Sequence, residues 1–411
     1  MTQSTKQSED ALTASRDSQP LGEYMKNYMR RVRSGDLGSL PIILGVIVIA
    51  IIFQTQNQNF LTARNFVNLI LQMAAITSIA YGVVYVLLLG EIDLSVAYVS
   101  AVAGVGMTLL MRPPSPWPWW AAVAVALLVA GGIGLIHGLI ITTFQVPSFV
   151  VTLAGLLAWN GVVLIIIGGG GTVIIQDKVI IGVANYFLPD LWGWIVAGGA
   201  LLIYAGLEFS QHAMRRKQGL ATRPMTIVVA QMVFLAVISF VAVYVANQDR
   251  GVPFVGVLLL VLLVALSFLA NKTKFGRYVY AVGGNKEAAR RAGINVERIR
   301  VTVFVMSSML AGVGGIILAS RLRSVATDAG GGNLLLNSIA AAVIGGTSLF
   351  GGSGKVSSAL LGALVIASVE NGMGLLGLSS GVKFVVTGLV LLLAVLVDSV
   401  SRRSRAESGL G

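Results

Sequence analysis

A succession of long apolar runs separated by short polar segments dominates this sequence. A helix needs roughly 20 mostly apolar residues to cross the hydrocarbon core of a bilayer. These runs are apolar on every side and show no strict alternation, which excludes a transmembrane β-barrel. We therefore predict an all-α integral membrane protein, a bundle of about 12 transmembrane helices with broken or re-entrant elements. The predicted spans are residues 37–54, 66–89, 94–111, 119–143, 148–168, 191–208, 225–246, 253–270, 301–320, 334–350, 356–372 and 382–398.

The run at 334–350 is the least regular of these spans. Glycines interrupt its second half, at Gly345, Gly346 and the following pair Gly351 and Gly352. Glycine weakens a helix, and broken helices occur in membrane proteins where they line a cavity. This run either crosses the membrane or enters and leaves on one side.

The basic residues indicate the orientation. An even number of spans places both ends on one side, and Lys and Arg concentrate on the cytoplasmic side of membrane proteins. With both termini cytoplasmic, 22 of the 29 Lys and Arg residues fall in cytoplasmic segments and 7 do not. The sequence then divides into cytoplasmic tails at 1–36 and 399–411, a membrane domain at 37–398 and, within it, a cytoplasmic loop at 271–300. The net charge of +12 is spread over these short clusters, so we expect no nucleic-acid partner.

Several classes of chemistry lack their residues in this chain. Cysteine is absent, His137 has no acidic or histidine partner at helical spacing, and His212 lies in a basic loop, so no metal site is predicted. Gly354-Lys355 is followed by Val356 rather than Ser or Thr, and no glycine stands five residues before Gly354, so there is no phosphate-binding loop. We therefore expect no catalytic residues and no cofactor on this chain.

The loop at 271–300 is the longest polar stretch after the N-terminal tail. A short helix is predicted from Asn285 to Ala292, with glycines at both ends. It offers a face of small residues that another protein could pack against, whereas the alternative is a basic loop that contacts lipid headgroups. The residues of this predicted docking segment are Gly284, Asn285, Glu287, Ala288, Ala289, Ala292 and Gly293.

Polar residues beside or within the apolar runs are the other candidates. Glu91 and Asp93 lie at the end of the second span, where carboxylates are functional candidates, although Asp93 is more simply explained as a cap of the helix predicted from Leu94. Asn160 beside Trp159 is the most sugar-like pair, since amides and aromatic faces bind neutral sugars. For each polar residue inside a span, a hydrogen bond between helices is the competing explanation.

Three segments resemble a known family. Glu287-Ala288-Ala289 followed by Gly293 is similar to the EAA-type coupling segment of permease subunits in bacterial ABC importers. The stretch Gly90 to Val96 resembles the GxIDLSVG signature, with Ala97 in place of the final Gly, and Gly345 to Gly352 resembles the GGTSLFGG stretch of permeases for ribose, galactose and xylose. The two spans within 171–252 make the chain most similar to the longer xylose-type members.

This resemblance implies a permease that works as a pair in the bacterial inner membrane, in contact with lipid. A cytoplasmic ABC ATPase would bind ATP and Mg, and an extracytoplasmic sugar-binding protein would deliver the sugar. The implied translocation path or gate comprises Gly90, Glu91, Asp93, Ser95, Asn160, Thr347, Ser348, Glu370 and Asn371. A branched-chain amino acid ABC permease and a proton-coupled secondary sugar carrier remain alternatives, and an integral membrane enzyme ranks last. The sequence does not identify the sugar.

Overall fold

A computed structural model describes residues 40–220 and 222–407 together with Gly22, Lys26 and Met29. The predicted N-terminal tail, apart from those three residues, lies outside the described part. Fifteen α-helices, one 3-10 turn at Gly168–Gly170 and four short strands occur in the described residues. The helices are α1 Leu40–Gln56, α2 Ala63–Leu88, α3 Val96–Leu110, α4 Trp119–Thr143, α5 Ser148–Ile167, α6 Lys178–Asn185, α7 Asp190–Lys217, α8 Met225–Asn247, α9 Phe254–Lys272, α10 Lys274–Gly284, α11 Lys286–Arg291, α12 Val296–Leu322, α13 Leu334–Ile344, α14 Val356–Leu375 and α15 Ser380–Glu407. The strands are β1 Thr172–Ile174, β2 Phe187–Leu188, β3 Val252–Pro253 and β4 Ser324–Ala326.

Each of the 12 predicted spans coincides with a helix, but only eight helices among the described residues are long and apolar enough to cross a membrane. These are α2, α4, α5, α7, α8, α9, α12 and α14. The other four predicted spans contain shorter apolar stretches, at Leu40–Gln56, Val96–Leu110, Leu334–Ile344 and Ser380–Leu393. The chain is therefore a multi-pass membrane protein, while the count of 12 and the side of each terminus stay predictions.

The predicted span at 334–350 is much shorter in the structure. Helix α13 has 11 residues, which at 1.5 Å per residue gives roughly 16 Å, about half of the hydrocarbon thickness. Its carboxyl end is followed by a glycine-rich turn in which Gly346, Gly351 and Gly352 have positive φ angles. The glycines at this position end the helix, so this segment does not cross the membrane as one helix.

Helix α12 lies at the centre of the larger of two compact units, which comprises residues 38–187 and 253–400. It packs against α2, α3 and α4. A methyl group added at Gly138 of α4 would lie 2.8 Å from the Val301 backbone, and one added at Gly134 would overlap the Phe304 carbonyl oxygen. These two glycines thus let α4 approach α12 closely.

The fold is not purely helical. Strands β1 and β4 form an antiparallel pair in which Val173 faces Val325. The first turn of α6 follows β1 and is capped by the Asp177 carboxylate, which accepts hydrogen bonds from the amides of Val179 and Ile180. The prediction of an all-α fold omitted these short elements because three-residue strands give too little alternation to be recognised.

Residues 188–252 belong to the second compact unit. Helices α7 and α8 form an antiparallel pair there, joined by the Trp194 and Phe240 rings at 5.8 Å and by a 3.3 Å hydrogen bond from the Asn247 amide to the Asp190 carbonyl. Most of both helices is exposed within the structure. They are the two candidate spans expected in this region.

Candidate coupling and gating site

The predicted loop at 271–300 is mostly helical. Helix α10 ends at Gly284, α11 runs from Lys286 to Arg291, and Asn285 separates them. The Asn285 side chain accepts a 2.9 Å hydrogen bond from the Ala288 amide, which is the cap that the sequence predicts. Gly284 ends α10 rather than opening α11, and Gly293, with a φ angle of 81°, follows the end of α11. The predicted cap is confirmed, whereas the predicted helix was two residues too long in total.

The three alanines of the predicted docking segment do not form one accessible face. Ala289 is only 4% exposed and packs inside the chain, whereas Ala288 and Ala292 are exposed. On the outer side, the Arg290 guanidinium bridges the carboxylates of Glu287 and Glu297 at 2.9 and 2.8 Å. A partner of this helix would therefore meet Ala288, Ala292 and this ion-pair network, not Ala289.

Glu91 links the α2–α3 loop to this helix. Its carboxylate is 5% exposed, and the same oxygen, Oε1, lies 2.7 Å from the Lys286 ammonium and 2.8 Å from the Arg300 guanidinium. Lys286 is the first residue of α11, and Arg300 lies in the first turns of α12. A buried carboxylate that forms ion pairs with two cations is held strongly in position.

The electrostatics of Glu91 follow from these contacts. Burial alone raises the pKa of the Glu91 carboxyl, but the hydrogen bonds from Lys286 and Ser148 and the charge of Arg300 outweigh burial, and the net effect lowers the pKa. Glu91 is therefore ionised at neutral pH. A groove of about 520 Å³ opens beside it, bounded by the α2–α3 loop, the α4–α5 turn and α11.

Backbone contacts bring the end of α2, the end of α10 and the glycine-rich turn after α13 together. The Gly352 amide donates a 2.9 Å hydrogen bond to the Leu88 carbonyl at the end of α2. A methyl group on Gly283 would overlap that carbonyl, and one on Gly351 would lie 2.7 Å from the Gly283 carbonyl and 2.9 Å from the Gly90 amide. Three segments that are far apart in sequence thus meet through glycines, and we call this set, Leu88, Gly90, Gly283, Gly351 and Gly352, the glycine junction.

Thr347 and Ser348 build the turn that forms part of this junction. Thr347 is fully buried and its amide donates to the Ala342 carbonyl at 3.1 Å. The Ser348 hydroxyl accepts a 3.1 Å hydrogen bond from the Phe350 amide. Both residues hold the chain after α13 in its turned conformation, and the Tyr280 hydroxyl ties this segment to α10 by donating to the Gly354 carbonyl at 2.8 Å.

Asp93 is buried in the same α2–α3 loop. Its Oδ1 atom accepts hydrogen bonds from the Ser95 amide at 3.0 Å and from the Ser95 hydroxyl at 2.6 Å. Burial raises the pKa of this carboxyl, partly offset by the Ser95 hydroxyl. Helix α3 begins at Val96 with Ser95 as its N-cap residue, so the prediction that Asp93 caps a helix starting at Leu94 was wrong in detail. Asp93 instead fixes the conformation of the residue that precedes the helix.

His137 lies next to Ser95 and Trp159 lies next to His137, although the sequence did not connect these residues. The His137 Nδ1 atom is 3.3 Å from the Ser95 hydroxyl, and the Trp159 indole donates a 3.1 Å hydrogen bond to His137 Nε2. The indole of the predicted sugar-binding pair is thus directed toward His137. Asn160 is half-buried, and its side chain makes no hydrogen bond within the described residues. No group of three His, Cys, Asp or Glu residues able to hold a metal occurs in that part of the chain.

Glu370 and Asn371 belong to a separate polar cluster near the carboxyl end of α14. The Asn337 amide donates to Glu370 at 2.7 Å, and Asn371 and Asn65 exchange hydrogen bonds of 2.8 and 2.9 Å. Asn371 also donates to Gln72 at 3.2 Å. These bonds join α2, α13 and α14, so the competing explanation of helix-to-helix hydrogen bonds holds for both residues.

The structure thus brings the α2–α3 loop, the docking segment and the glycine-rich turn together, and leaves Glu370 and Asn371 apart. Sequence reasoning missed Lys286, Arg300 and His137 as members of the site. A signal for the first two was present, because a buried carboxylate calls for cationic partners and the loop at 271–300 is rich in them. His137 had no such signal, since its partners lie on other helices.

Comparisons with known proteins identify relatives over most of the chain. The family model described as "Branched-chain amino acid transport system / permease component" matches residues 65–395. The xylose transport system permease protein of Escherichia coli is 37% identical over 90% of this chain and 94% of its own length. The ribose import permease protein of Escherichia coli is 31% identical over 87% of this chain and 92% of its own length. The L-arabinose ABC transporter permease protein of Azospirillum brasilense is 32% identical over 88% of each chain. No solved structure matches.

Proposed function

Since this chain belongs to the family of branched-chain amino acid transport system permease components, we propose that it is the membrane-spanning subunit of an ATP-driven importer for xylose or a related monosaccharide. The relatives named above are permeases for xylose, ribose and L-arabinose, which supports a sugar rather than an amino acid as the substrate. The match to the xylose protein, the highest in identity of the three, favours xylose among them.

The partners of this subunit are part of the proposal. A cytoplasmic ABC ATPase binds ATP and Mg and docks on α11, an extracytoplasmic protein delivers the sugar, and a second copy of the permease completes the path in the bacterial inner membrane. The accessible docking surface is Ala288 and Ala292 with the Arg290 ion-pair network, because Ala289 is buried.

The contact of Glu91 with Lys286 and Arg300 carries the mechanism. A displacement of α11 by the ATPase moves Lys286, and the carboxylate bound to it lies in the loop that leads into α3. The glycine junction adds a second connection, through Gly283, to the end of α2. Closure of the motor on ATP binding therefore changes the position of the α2–α3 loop, and this change alternates the side on which the path opens.

Uptake into proteoliposomes tests the docking surface. The permease is reconstituted with its ATPase and binding protein, and labelled xylose is followed with and without ATP. We expect Ala292→Glu and Ala288→Glu to abolish most ATP-dependent uptake, because a buried charge at an interface is costly. Ala213→Glu, an equal change on the exposed part of α7, is the matched control and should transport normally. Unchanged uptake in both α11 variants would remove the docking assignment.

The same vesicles separate the rival functions. ATP-dependent uptake should persist when the proton gradient is collapsed, and xylose should compete better than leucine. Uptake by the permease alone, driven by a proton gradient, would identify a secondary carrier. Stronger competition by leucine would instead favour an amino acid importer.

A further inference from the structure

A chain of hydrogen bonds crosses the interior from the α2–α3 loop to α5. It runs from the Trp159 indole to His137, on to the Ser95 hydroxyl and then to the Asp93 carboxylate, with distances of 3.1, 3.3 and 2.6 Å. The four residues come from α5, α4, the N-terminus of α3 and the loop before it. Each step joins different parts of the fold except the last, which is local.

The direction of these bonds follows from the chemistry of the groups. An indole N–H can only donate, so His137 Nε2 is the acceptor and carries no proton. In the neutral ring the proton is then on Nδ1, which donates to the Ser95 oxygen. The Ser95 hydroxyl in turn donates to Asp93. In all three bonds the donor therefore lies on the side of Trp159 and the acceptor on the side of the Asp93 carboxylate.

Close packing keeps the His137 ring in this position. His137 and Asp93 are each 3% exposed, and Ser95 is fully buried. A methyl group on Gly155 of α5 would overlap the imidazole, so the ring fits directly against the α5 backbone. Ser307 of α12 lies beside Asp93 and closes the other side. A buried polar group that loses its partner is destabilising, so a partly broken chain of hydrogen bonds is unfavourable.

The chain of hydrogen bonds ends at Asp93, two residues after Glu91. Glu91 forms ion pairs with Lys286 and Arg300, and Asp93 accepts a hydrogen bond from Ser95. Both sets of contacts therefore involve the short α2–α3 loop. We propose that His137 is a positioning residue, which makes the position of Trp159, and with it the neighbouring Asn160, depend on the position of the α2–α3 loop. The proposal rests on the transport function proposed above, and it assigns to an interior histidine the link between the docking side and the α5 helix.

Two substitutions at one position separate this role from simple core packing. His137→Phe keeps a ring of similar shape without a donor or an acceptor. His137→Gln keeps one of each, at a separation similar to that of the two ring nitrogens. The measurement is the amount of xylose taken up per ATP hydrolysed in the reconstituted complex, together with the melting temperature of each permease. We expect at least a tenfold lower ratio for His137→Phe and a ratio within about threefold of the wild type for His137→Gln.

Fluorescence gives a readout that packing alone would not change. In a background where Trp117, Trp119, Trp120, Trp192 and Trp194 are replaced by Phe, Trp159 is the only remaining indole of the six in the sequence. Its emission maximum should shift when ATP is added to the complex with His137 present, and should not shift with His137→Phe.

Two results would overturn the inference. One is an unchanged ratio of xylose to ATP in His137→Phe, and the other is an equal loss in both variants that follows their melting temperatures. Failure of the transport function is distinguishable, since it would appear as absence of ATP-dependent uptake in the wild type, before any variant is compared, and the inference would fall with it.

Discussion

The Oε1 atom of Glu91 lies 2.7 Å from the Lys286 ammonium, although 195 residues separate the two in the sequence. Arg300 reaches the same oxygen at 2.8 Å. The two cations differ in environment, because Lys286 is 44% exposed and Arg300 is 15% exposed. Water screens the first interaction more than the second, so Arg300 should stabilise the contact more than Lys286 does.

Removing both cations should destabilise the permease more than removing Lys286 alone. Lys286→Met alone should cost less than about 1 kcal/mol, since this pair is partly exposed. In Lys286→Met/Arg300→Met the Glu91 charge stays buried without a cation, and the loss should reach about 2 kcal/mol or more. Denaturation of the purified protein in detergent measures both values.

A third substitution tests the cause of that loss. Adding Glu91→Gln to the double variant removes the uncompensated charge and should recover part of the stability. Arg291→Met, an exposed change on α11, serves as the control and should leave unfolding unchanged. If Glu91→Gln lowered stability further in the double variant, the ion-pair explanation would be wrong.

The contribution of Glu91 should depend on pH in a defined direction. Its pKa in the folded protein is below the ordinary value of 4.5, so the stabilisation is complete above pH 4.5 and is lost as the pH falls through the lower folded value. The difference in melting temperature between the wild type and Glu91→Gln should therefore be constant near neutral pH and shrink below pH 4.5. A difference that grows on acidification would contradict this assignment.

Neighbouring glycines should respond in opposite ways to the same methyl group. Gly283→Ala would overlap the Leu88 carbonyl and separate α10 from the end of α2, so we expect loss of folded protein or of ATP-dependent uptake. A methyl group on Gly284 meets nothing within 4 Å in the described part of the chain, and Gly284→Ala should be tolerated. Size-exclusion profiles and uptake compare the two, and equal behaviour would argue against the glycine junction.

The cap of α11 should be a local source of stability. Asn285→Ala removes the acceptor for the Ala288 amide and should cost about 1 kcal/mol. Hydrogen exchange should increase in residues 286–291 while α2 stays protected. Asn285→Asp supplies the same acceptor and should restore slow exchange, and a failure of this variant to do so would assign the effect to something other than capping.

The helices could be predicted from sequence wherever an apolar run was long and regular. Helix α8 was predicted at 225–246 and is Met225–Asn247 in the structure, because lipid on most sides requires an apolar surface throughout. Helix α13 was overestimated because a run of apolar and small residues continues past Ile344, where the backbone turns at glycines. The glycines marked the second run as irregular, but they did not show where its helix ends.

The candidate site was predicted as three motifs but not as one place. Residue spacing indicated a cap at Asn285, which depends on contacts within four residues. The contact between Glu91 and Lys286, and that between His137 and Ser95, depend on how distant helices pack, which no local pattern encodes. The prediction of an exposed alanine face was wrong for the same reason, since the burial of Ala289 depends on how α11 packs in the fold.

The glycine junction limits how parts of this transporter can be exchanged with those of a relative. Its three segments meet through main-chain atoms, so no rotamer can adjust to a mismatched neighbour. A chimera designed to accept a foreign ATPase by replacing only α10 and α11 would combine surfaces of different ancestry at Gly283. Residues 88–91 and 345–354 would have to be transplanted together with those helices, as a single inherited module.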